Sequence, residues 1–147
     1  MSQASRVTVI RKAHFAAAHF LRLPELSDEE NLQRFGPSSN AMAHGHNYAV
    51  DVHVAGPVVP ETGMVVNLKD LKQILNEEVV EPLDFKNLNL QVDFFQERLT
   101  TLENMAIFLW DKLKRRMDGL SLELVGLRIA ENDDLYVEYY GGKEAPV

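Results

Sequence analysis

The sequence has 147 residues, the length of one domain, and its 46% hydrophobic and 25% charged residues are typical of a globular protein. Its 22 acidic and 15 basic side chains give a net charge of −7. This charge argues against nucleic acid as a partner, because such proteins carry a basic surface. The sequence contains no cysteine, which excludes disulfides, cysteine zinc sites and thiol nucleophiles. We expect a single domain over residues 1–147.

The sequence predicts neither a leader peptide nor a membrane helix. The first six residues lack the apolar stretch of a secretory signal, and no apolar run approaches the about 20 residues that a membrane helix needs. We therefore expect no membrane partner and a cytoplasmic location. A sequence without cysteine is consistent with that reducing compartment.

Two strands and a first helix are predicted in the first half of the chain. Apolar and β-branched residues over 7–20 predict one strand, and regular alternation over 46–55 predicts a second. A polar stretch over 22–43, broken by prolines and a glycine, predicts a loop between them. Asn67 is a candidate N-cap for a helix. The apolar positions of this helix are Leu68, Leu71, Ile74, Leu75 and Val79.

The second half of the chain predicts a loop over 81–99, a helix and two strands. Thr100 and Glu103 have the spacing of a capping box at the start of the helix. Its apolar stripe consists of Met105, Ala106, Leu109, Trp110, Leu113 and Met117. Strands over 122–131 and 135–140 follow, joined by an Asn-Asp-Asp turn. Grouped strands and helices predict an α+β fold, an antiparallel sheet with helices on one face.

Three of the five histidines share the inward phase of the predicted strands. His44 and His46 are two residues apart on the second strand, and His19 has the inward phase of the first. His14 and His53 have the opposite phase, so we expect them on the outer face. Three imidazoles with an open fourth position form a typical catalytic zinc site. A His-x-His pair on a strand also occurs as two hydrogen-bonded core histidines, so the spacing leaves both interpretations open.

Glu131 continues the inward phase of Leu127 and Ile129 on the third long strand. A carboxylate on an inward face is costly unless it is paired or hydrogen-bonded. It can accept two parallel N–H bonds from a guanidine-like edge, such as that of a pterin or guanine ring. The alternative is that Glu131 lies in solvent at the strand end, beside the acidic turn.

Two segments, Phe15-Ala-Ala-Ala-His19 and His44-Gly-His-Asn-Tyr48, resemble the zinc-binding segments of the 6-pyruvoyl-tetrahydropterin synthase family, which includes the bacterial 6-carboxytetrahydropterin synthases. The resemblance continues in order over nearly the whole chain, through residues 27–32, 62–68, 82–84, 86–88 and 103–104. It implies the tunnelling fold, a four-stranded antiparallel sheet with two helices on one face. Family members assemble into homotrimers or homohexamers around a barrel, with active sites between subunits.

The family resemblance also implies an activity and a set of site residues. It places zinc on His19, His44 and His46, and the pterin ring on Glu131, with Thr101 as a second ring contact. The implied enzyme is a zinc-dependent lyase of the pterin pathway. Its substrate is 7,8-dihydroneopterin triphosphate or a close analogue, which loses triphosphate and rearranges its side chain without an external redox cofactor.

The catalytic groups of the family are only partly present in this chain. Ser38 occupies the position of the family's cysteine, and the family's Asp-His pair is Asp84-Phe85 here, so Asp84 alone is retained. A thiol titrates near pH 8.5, whereas a serine hydroxyl needs a partner to act as a base. We therefore predict that the usual activity is slow or altered. The alternative is a pterin-binding member with weak or no catalysis and a binding or regulatory role.

Overall fold

The structure, a computed structural model, describes residues 5–147. Residues 1–4, which belong to the segment predicted to lack a leader, lie outside this range. The elements are β1 Arg6–His19, α1 Asp28–Phe35, β2 His44–Pro57, α2 Leu68–Leu75, α3 Glu81–Leu83, β3 Lys86–Asn87, α4 Leu88–Gln91, α5 Leu102–Met117, β4 Glu123–Asn132 and β5 Leu135–Tyr139. No helix between residues 5 and 147 has the length and apolar character that crossing a membrane requires.

The strands form one mixed sheet in the order β3-β1-β2-β4-β5. The pairs β1–β2, β2–β4 and β4–β5 are antiparallel, as predicted. The fifth strand, β3, pairs in parallel with β1 at Ala17 and Ala18. The α+β class is therefore confirmed, but the prediction of a four-stranded antiparallel sheet was wrong, because the segment over 81–99 adds a short strand to the edge of β1.

Hydrogen bonds to β1 explain why residues 81–99 are not a simple loop. The Asp84 carboxylate accepts the Ala16 N–H at 2.9 Å, and the Phe85 N–H donates to the Ala16 carbonyl at 2.7 Å. Asn87 then caps α4 by accepting the backbone N–H groups of Asn89 and Leu90. The residues that follow α3 therefore provide hydrogen-bond partners for backbone groups at the edge of β1.

The hydrophobic core lies between the sheet and the helices α2 and α5. Asn67 caps α2 as predicted, and the whole predicted stripe of α5 is buried. A π-helical turn over Asn76–Val80 continues α2 into α3. The cap of α5 is Thr101, whose hydroxyl accepts the Asn104 N–H at 3.2 Å. The predicted capping box at Thr100 was therefore displaced by one residue, and Thr100 is free for another contact.

The segment over 22–43 is also more ordered than predicted, since it contains α1 and a 3₁₀ turn over Gly36–Ser39. Ser27 caps α1 by accepting the Glu30 N–H. The buried Asn31 side chain accepts the Leu23 N–H at 2.8 Å and donates to three backbone carbonyls of the same segment. One buried amide therefore organises the first part of this segment, residues 23–31, without a sheet or long helix.

Candidate metal centre

The register of β1 against β2 brings the three predicted ligands together. His19 lies directly opposite His44, and His46 lies opposite Ala17, at the same end of the sheet. Each of the three rings offers a nitrogen, and these nitrogens all lie within 4.8 Å of one another. The predicted convergence of the three histidines is therefore confirmed. His14 lies on the opposite face of β1 and is exposed, as its phase predicts.

The three imidazoles suit a metal better than they suit a hydrogen-bonded core. Burial lowers the pKa of His19 from 6.5 to about 4, against the opposing hydrogen bond to Thr100. Burial also lowers the pKa of His44, and His46 adds to this effect. His19 Nε2, His44 Nδ1 and His46 Nε2 are buried without a hydrogen-bond partner in residues 5–147. Zn²⁺ binds neutral imidazole nitrogens, and three buried ring nitrogens without another partner, all within 4.8 Å of one another, fit the metal that the family implies.

The metal-free protein is expected to lose stability as the pH falls from 6.5 towards 4. Between pH 6.5 and 4, His19 binds a proton in the unfolded chain but stays neutral in the folded protein. The free energy of unfolding therefore decreases as the pH is lowered. The contribution of this histidine reaches about 3 kcal/mol. Urea unfolding at several pH values, with a chelator present, measures it. His19→Asn is the reference variant, and an equal pH slope in both proteins would contradict the prediction.

A backbone carbonyl holds His19 from its other side. His19 Nδ1 lies 2.8 Å from the Thr100 carbonyl oxygen, in a buried environment. Thr100 has 0% of its surface exposed. The sequence reasoning missed this contact, because it assigned Thr100 to the helix cap. The only sequence signal was a second threonine beside the residue that does form the cap.

Glu131 lies beside the histidines rather than in solvent. Its Oε2 is 3.6 Å from His46 Nε2, and its side chain is 18% exposed. The β4–β5 register pairs Ala130 with Tyr136 and Asn132 with Leu135, so Glu131 is the extra residue of a β-bulge. A bulge changes the direction of a side chain. The geometry matches the inward alternative, and the role of Glu131 in binding stays a prediction.

Tyr48 is a further polar group at this site that the sequence reasoning counted only as core. Its side chain has 0% exposure, and its ring stacks on Phe15 with centroids 4.8 Å apart. The hydroxyl is buried without a hydrogen-bond partner in residues 5–147. Burial raises its pKa, and the Glu131 carboxylate adds to this effect. Tyr48 therefore stays a neutral hydroxyl at pH 7.

The remaining predicted residues are not joined to the histidines by any hydrogen bond or ion pair among the described residues. Ser38 is half-buried in the 3₁₀ turn, where its carbonyl accepts the Leu21 N–H at 2.8 Å. Asp84 binds the backbone of β1. Phe85 is 89% exposed and has a left-handed backbone, with φ of 57°. Thr101 caps α5. Within one chain, the predicted proton-transfer groups therefore make no hydrogen bond or ion pair with the three histidines among the described residues.

Comparisons with known proteins agree with the sequence motifs. A profile of the family described as 6-pyruvoyl tetrahydropterin synthase matches residues 8–142. The human 6-pyruvoyl tetrahydrobiopterin synthase is 43% identical over 134 residues, which are 90% of each chain. The Drosophila melanogaster protein of that name is 38% identical over 141 residues, 96% of this chain and 83% of that one.

A solved structure agrees as well. The Caenorhabditis elegans 6-pyruvoyl tetrahydropterin synthase superposes with a TM-score of 0.87 at 37% identity, covering 97% of this chain and 100% of that one. The likeness therefore extends over the whole described fold and includes the elements that carry the three histidines. With the profile match and the sequence identities, it follows that the chain belongs to the 6-pyruvoyl tetrahydropterin synthase family.

Proposed function

We propose that the protein is a zinc-dependent lyase of the pterin pathway, acting on 7,8-dihydroneopterin triphosphate or a close analogue. The observation that carries this proposal is the group of three histidines with unpartnered, buried ring nitrogens, beside a half-buried carboxylate. Family membership supports the substrate class. The cytoplasmic location and the single domain over residues 1–147 stay predictions.

In this proposal His19, His44 and His46 hold the zinc ion. Zinc at this position would supply Lewis acidity to hydroxyl groups of the substrate's side chain and so acidify the neighbouring C–H bonds. Glu131 accepts the paired N–H groups of the pterin ring, and its distance of 3.6 Å from His46 keeps the ring close to the metal ligands. Thr101 is proposed as a second ring contact, since its hydroxyl proton is not needed for the cap.

Proton transfer is the weak part of the proposed enzyme. Phe85 has no ionisable group, and the Asp84 carboxylate is engaged by the Ala16 N–H. Ser38 would therefore need a partner that neither residue supplies. Loss of general acid–base assistance costs about two to four orders of magnitude in rate. These observations favour slow or altered turnover, and they also support the second candidate, a pterin-binding protein with weak or no catalysis and a regulatory role.

We propose that the chain works as a homo-oligomer with sites at subunit interfaces. Within residues 5–147, β3 covers only Ala17 and Ala18 of β1, which leaves most of that edge free, and β5 ends the sheet on the other side. Exposed strand edges are templates for pairing with another chain. Three exposed apolar side chains also lie on segments that flank the ends of β1 and β2: Met42, Phe85 and Leu90. These features support a trimeric barrel or a hexamer of two such rings.

Incubation with 7,8-dihydroneopterin triphosphate tests the proposed activity. We expect the zinc-loaded protein to consume the substrate slowly, because general acid–base assistance is reduced. Chromatography separates the pyruvoyl product from 6-hydroxymethyl-dihydropterin and carboxy-pterins, which would indicate altered chemistry. Binding without turnover would select the second candidate. Neither binding nor turnover would contradict both, and turnover at the rate of ordinary family members would contradict the predicted defect.

Glu131→Gln is expected to weaken pterin binding by about 10-fold or more. The substitution keeps the size of the side chain but removes the negative charge and one acceptor, and hydrogen bonds to charged groups contribute about 1.5–3 kcal/mol. Fluorescence titration with the substrate measures the Kd. The matched control is Glu123→Gln, which removes a carboxylate on the same strand that pairs with Arg6. If both variants bound the pterin with equal affinity, Glu131 would not be a pterin-binding residue.

A further inference from the structure

The backbone just after His19 is fixed by a side chain from α4. The Phe20 N–H donates to Asn89 Oδ1 at 2.9 Å, and Asn89 Nδ2 donates to the Phe20 carbonyl at 3.0 Å. Asn89 therefore bonds both polar groups of Phe20 at the point where β1 ends. A single amide thus fixes the peptide planes on both sides of Phe20, including the one that begins at His19.

Thr100 links this fixed backbone to the imidazole. The Thr100 hydroxyl donates to the Phe20 carbonyl at 3.1 Å. His19 Nδ1 lies 2.8 Å from the Thr100 carbonyl oxygen and 3.1 Å from the Thr100 hydroxyl oxygen. A carbonyl oxygen carries no proton, so His19 Nδ1 must donate the proton in its contact with the Thr100 carbonyl. The Thr100 hydroxyl has acceptors of its own, the Phe20 carbonyl and Asn89 Oδ1 at 3.4 Å. His19 is therefore held as the Nδ1–H tautomer, with the lone pair on Nε2.

The two other histidines have no such support. In the part of the chain that the structure describes, no side-chain hydrogen bond reaches either ring nitrogen of His44 or of His46. An imidazole that can exchange tautomers spends part of its time with a proton on the nitrogen that must bind the metal. Outer-shell partners that prevent this are typically worth 10- to 100-fold in metal affinity.

We propose that Asn89 and Thr100 are positioning residues that fix the tautomer and ring orientation of His19, and that they thereby set the affinity of the three-histidine centre for its metal. The inference rests on the proposed metal site, but its first readout needs neither metal nor substrate. Asn89 acts through the Phe20 peptide, and Thr100 acts on the ring directly. Neither residue offers a ligand to the metal.

Four variants separate this role from general stability. Asn89→Ala removes both bonds to Phe20. Thr100→Val removes the hydroxyl but keeps the backbone carbonyl and the shape, and Thr100→Ser restores the hydroxyl. The matched control is Asn31→Ala, which removes a buried amide whose bonds lie within residues 23–31.

The first measurement is ¹H–¹⁵N NMR of histidine-labelled, metal-free protein at pH 7.5. We expect His19 of the wild type to be in the Nδ1–H form alone, and Nε2–H signals to appear in Asn89→Ala and Thr100→Val. The second measurement is the zinc Kd by chelator competition. It is expected to rise about 10-fold or more in Asn89→Ala, to rise less in Thr100→Val, and to keep the wild-type value in Thr100→Ser and Asn31→Ala.

Several results would overturn the inference. The first is an Nε2–H tautomer of His19 in the wild type. The second is that Asn89→Ala and Thr100→Val both keep the wild-type tautomer and the wild-type zinc Kd. The third is that Asn31→Ala loses as much zinc affinity as Asn89→Ala. If Asn89→Ala does not fold, the comparison of Thr100→Val with Thr100→Ser decides. A protein that binds zinc as expected but leaves dihydroneopterin triphosphate unbound contradicts the proposed function alone.

Discussion

His44→Ala is expected to abolish stoichiometric zinc binding and any turnover of a pterin substrate. The substitution removes one of three ligands whose nitrogens lie within 4.8 Å of one another. Two imidazoles cannot supply the three protein ligands of a catalytic zinc site. The zinc Kd should therefore rise by more than the about 10- to 100-fold that outer-shell substitutions cost. Elemental analysis of natively purified protein and chelator competition measure the change.

His14→Ala is the matched control for this prediction. It also removes an imidazole from one of the two strands that carry the ligands, but this imidazole is exposed on the outer face of the sheet. We expect one zinc per chain and an unchanged Kd in this variant. If His44→Ala retained one tightly bound zinc per chain, the three histidines would not be the metal centre.

Restoring both family residues, as Ser38→Cys with Phe85→His, is expected to raise the rate of pyruvoyl product formation by about 10² to 10⁴. A thiol with a pKa near 8.5 and an imidazole near 6.5 can exchange protons near neutral pH, which serine and phenylalanine cannot do. The backbone suits the change, because residue 85 has φ of 57° and histidine is found in this region more readily than most side chains. Chromatography of the product at saturating substrate measures the rate.

The neighbouring serine provides the control for an added thiol. Ser39 is 3% exposed, and its hydroxyl donates to the Gly36 carbonyl at 2.8 Å. Ser39→Cys combined with Phe85→His therefore introduces the same groups with the thiol one residue away, and we expect no gain in rate. A double variant at 38 and 85 that is no faster than the wild type would show that the missing residues do not limit this protein.

Periodicity predicted the parts of the site that depend on strand phase. His19, His44 and His46 could be assigned to one face because side chains alternate along a strand, and the antiparallel pairing of neighbouring strands brings their ends together. The stripe of α5 was equally readable, since its burial follows the helical repeat. The wrong cap of α5 has a local cause: Thr100 and Thr101 are adjacent, and both can cap a helix.

Contacts between distant segments could not be predicted in this way. The strand β3 has two residues, too few to show a period, and it depends on the bonds of Asp84 and Phe85 to Ala16. The bond from His19 to Thr100 spans 81 residues of sequence, and its acceptor is a backbone carbonyl, which every residue has. A sequence pattern carries no information about which carbonyl will be used.

The bulge at Glu131 makes the length of β4 as important as its composition. Ala130 and Asn132 pair with Tyr136 and Leu135, which are adjacent, so Glu131 between them has no counterpart on β5. Because side chains alternate between faces, deleting Ala130 would close the bulge and move the Glu131 carboxylate to the opposite face of the sheet. A one-residue deletion could therefore disable the site while leaving Glu131 and all three histidines in the sequence. Relatives that retain these four residues are comparable in function only if this strand has the same number of residues.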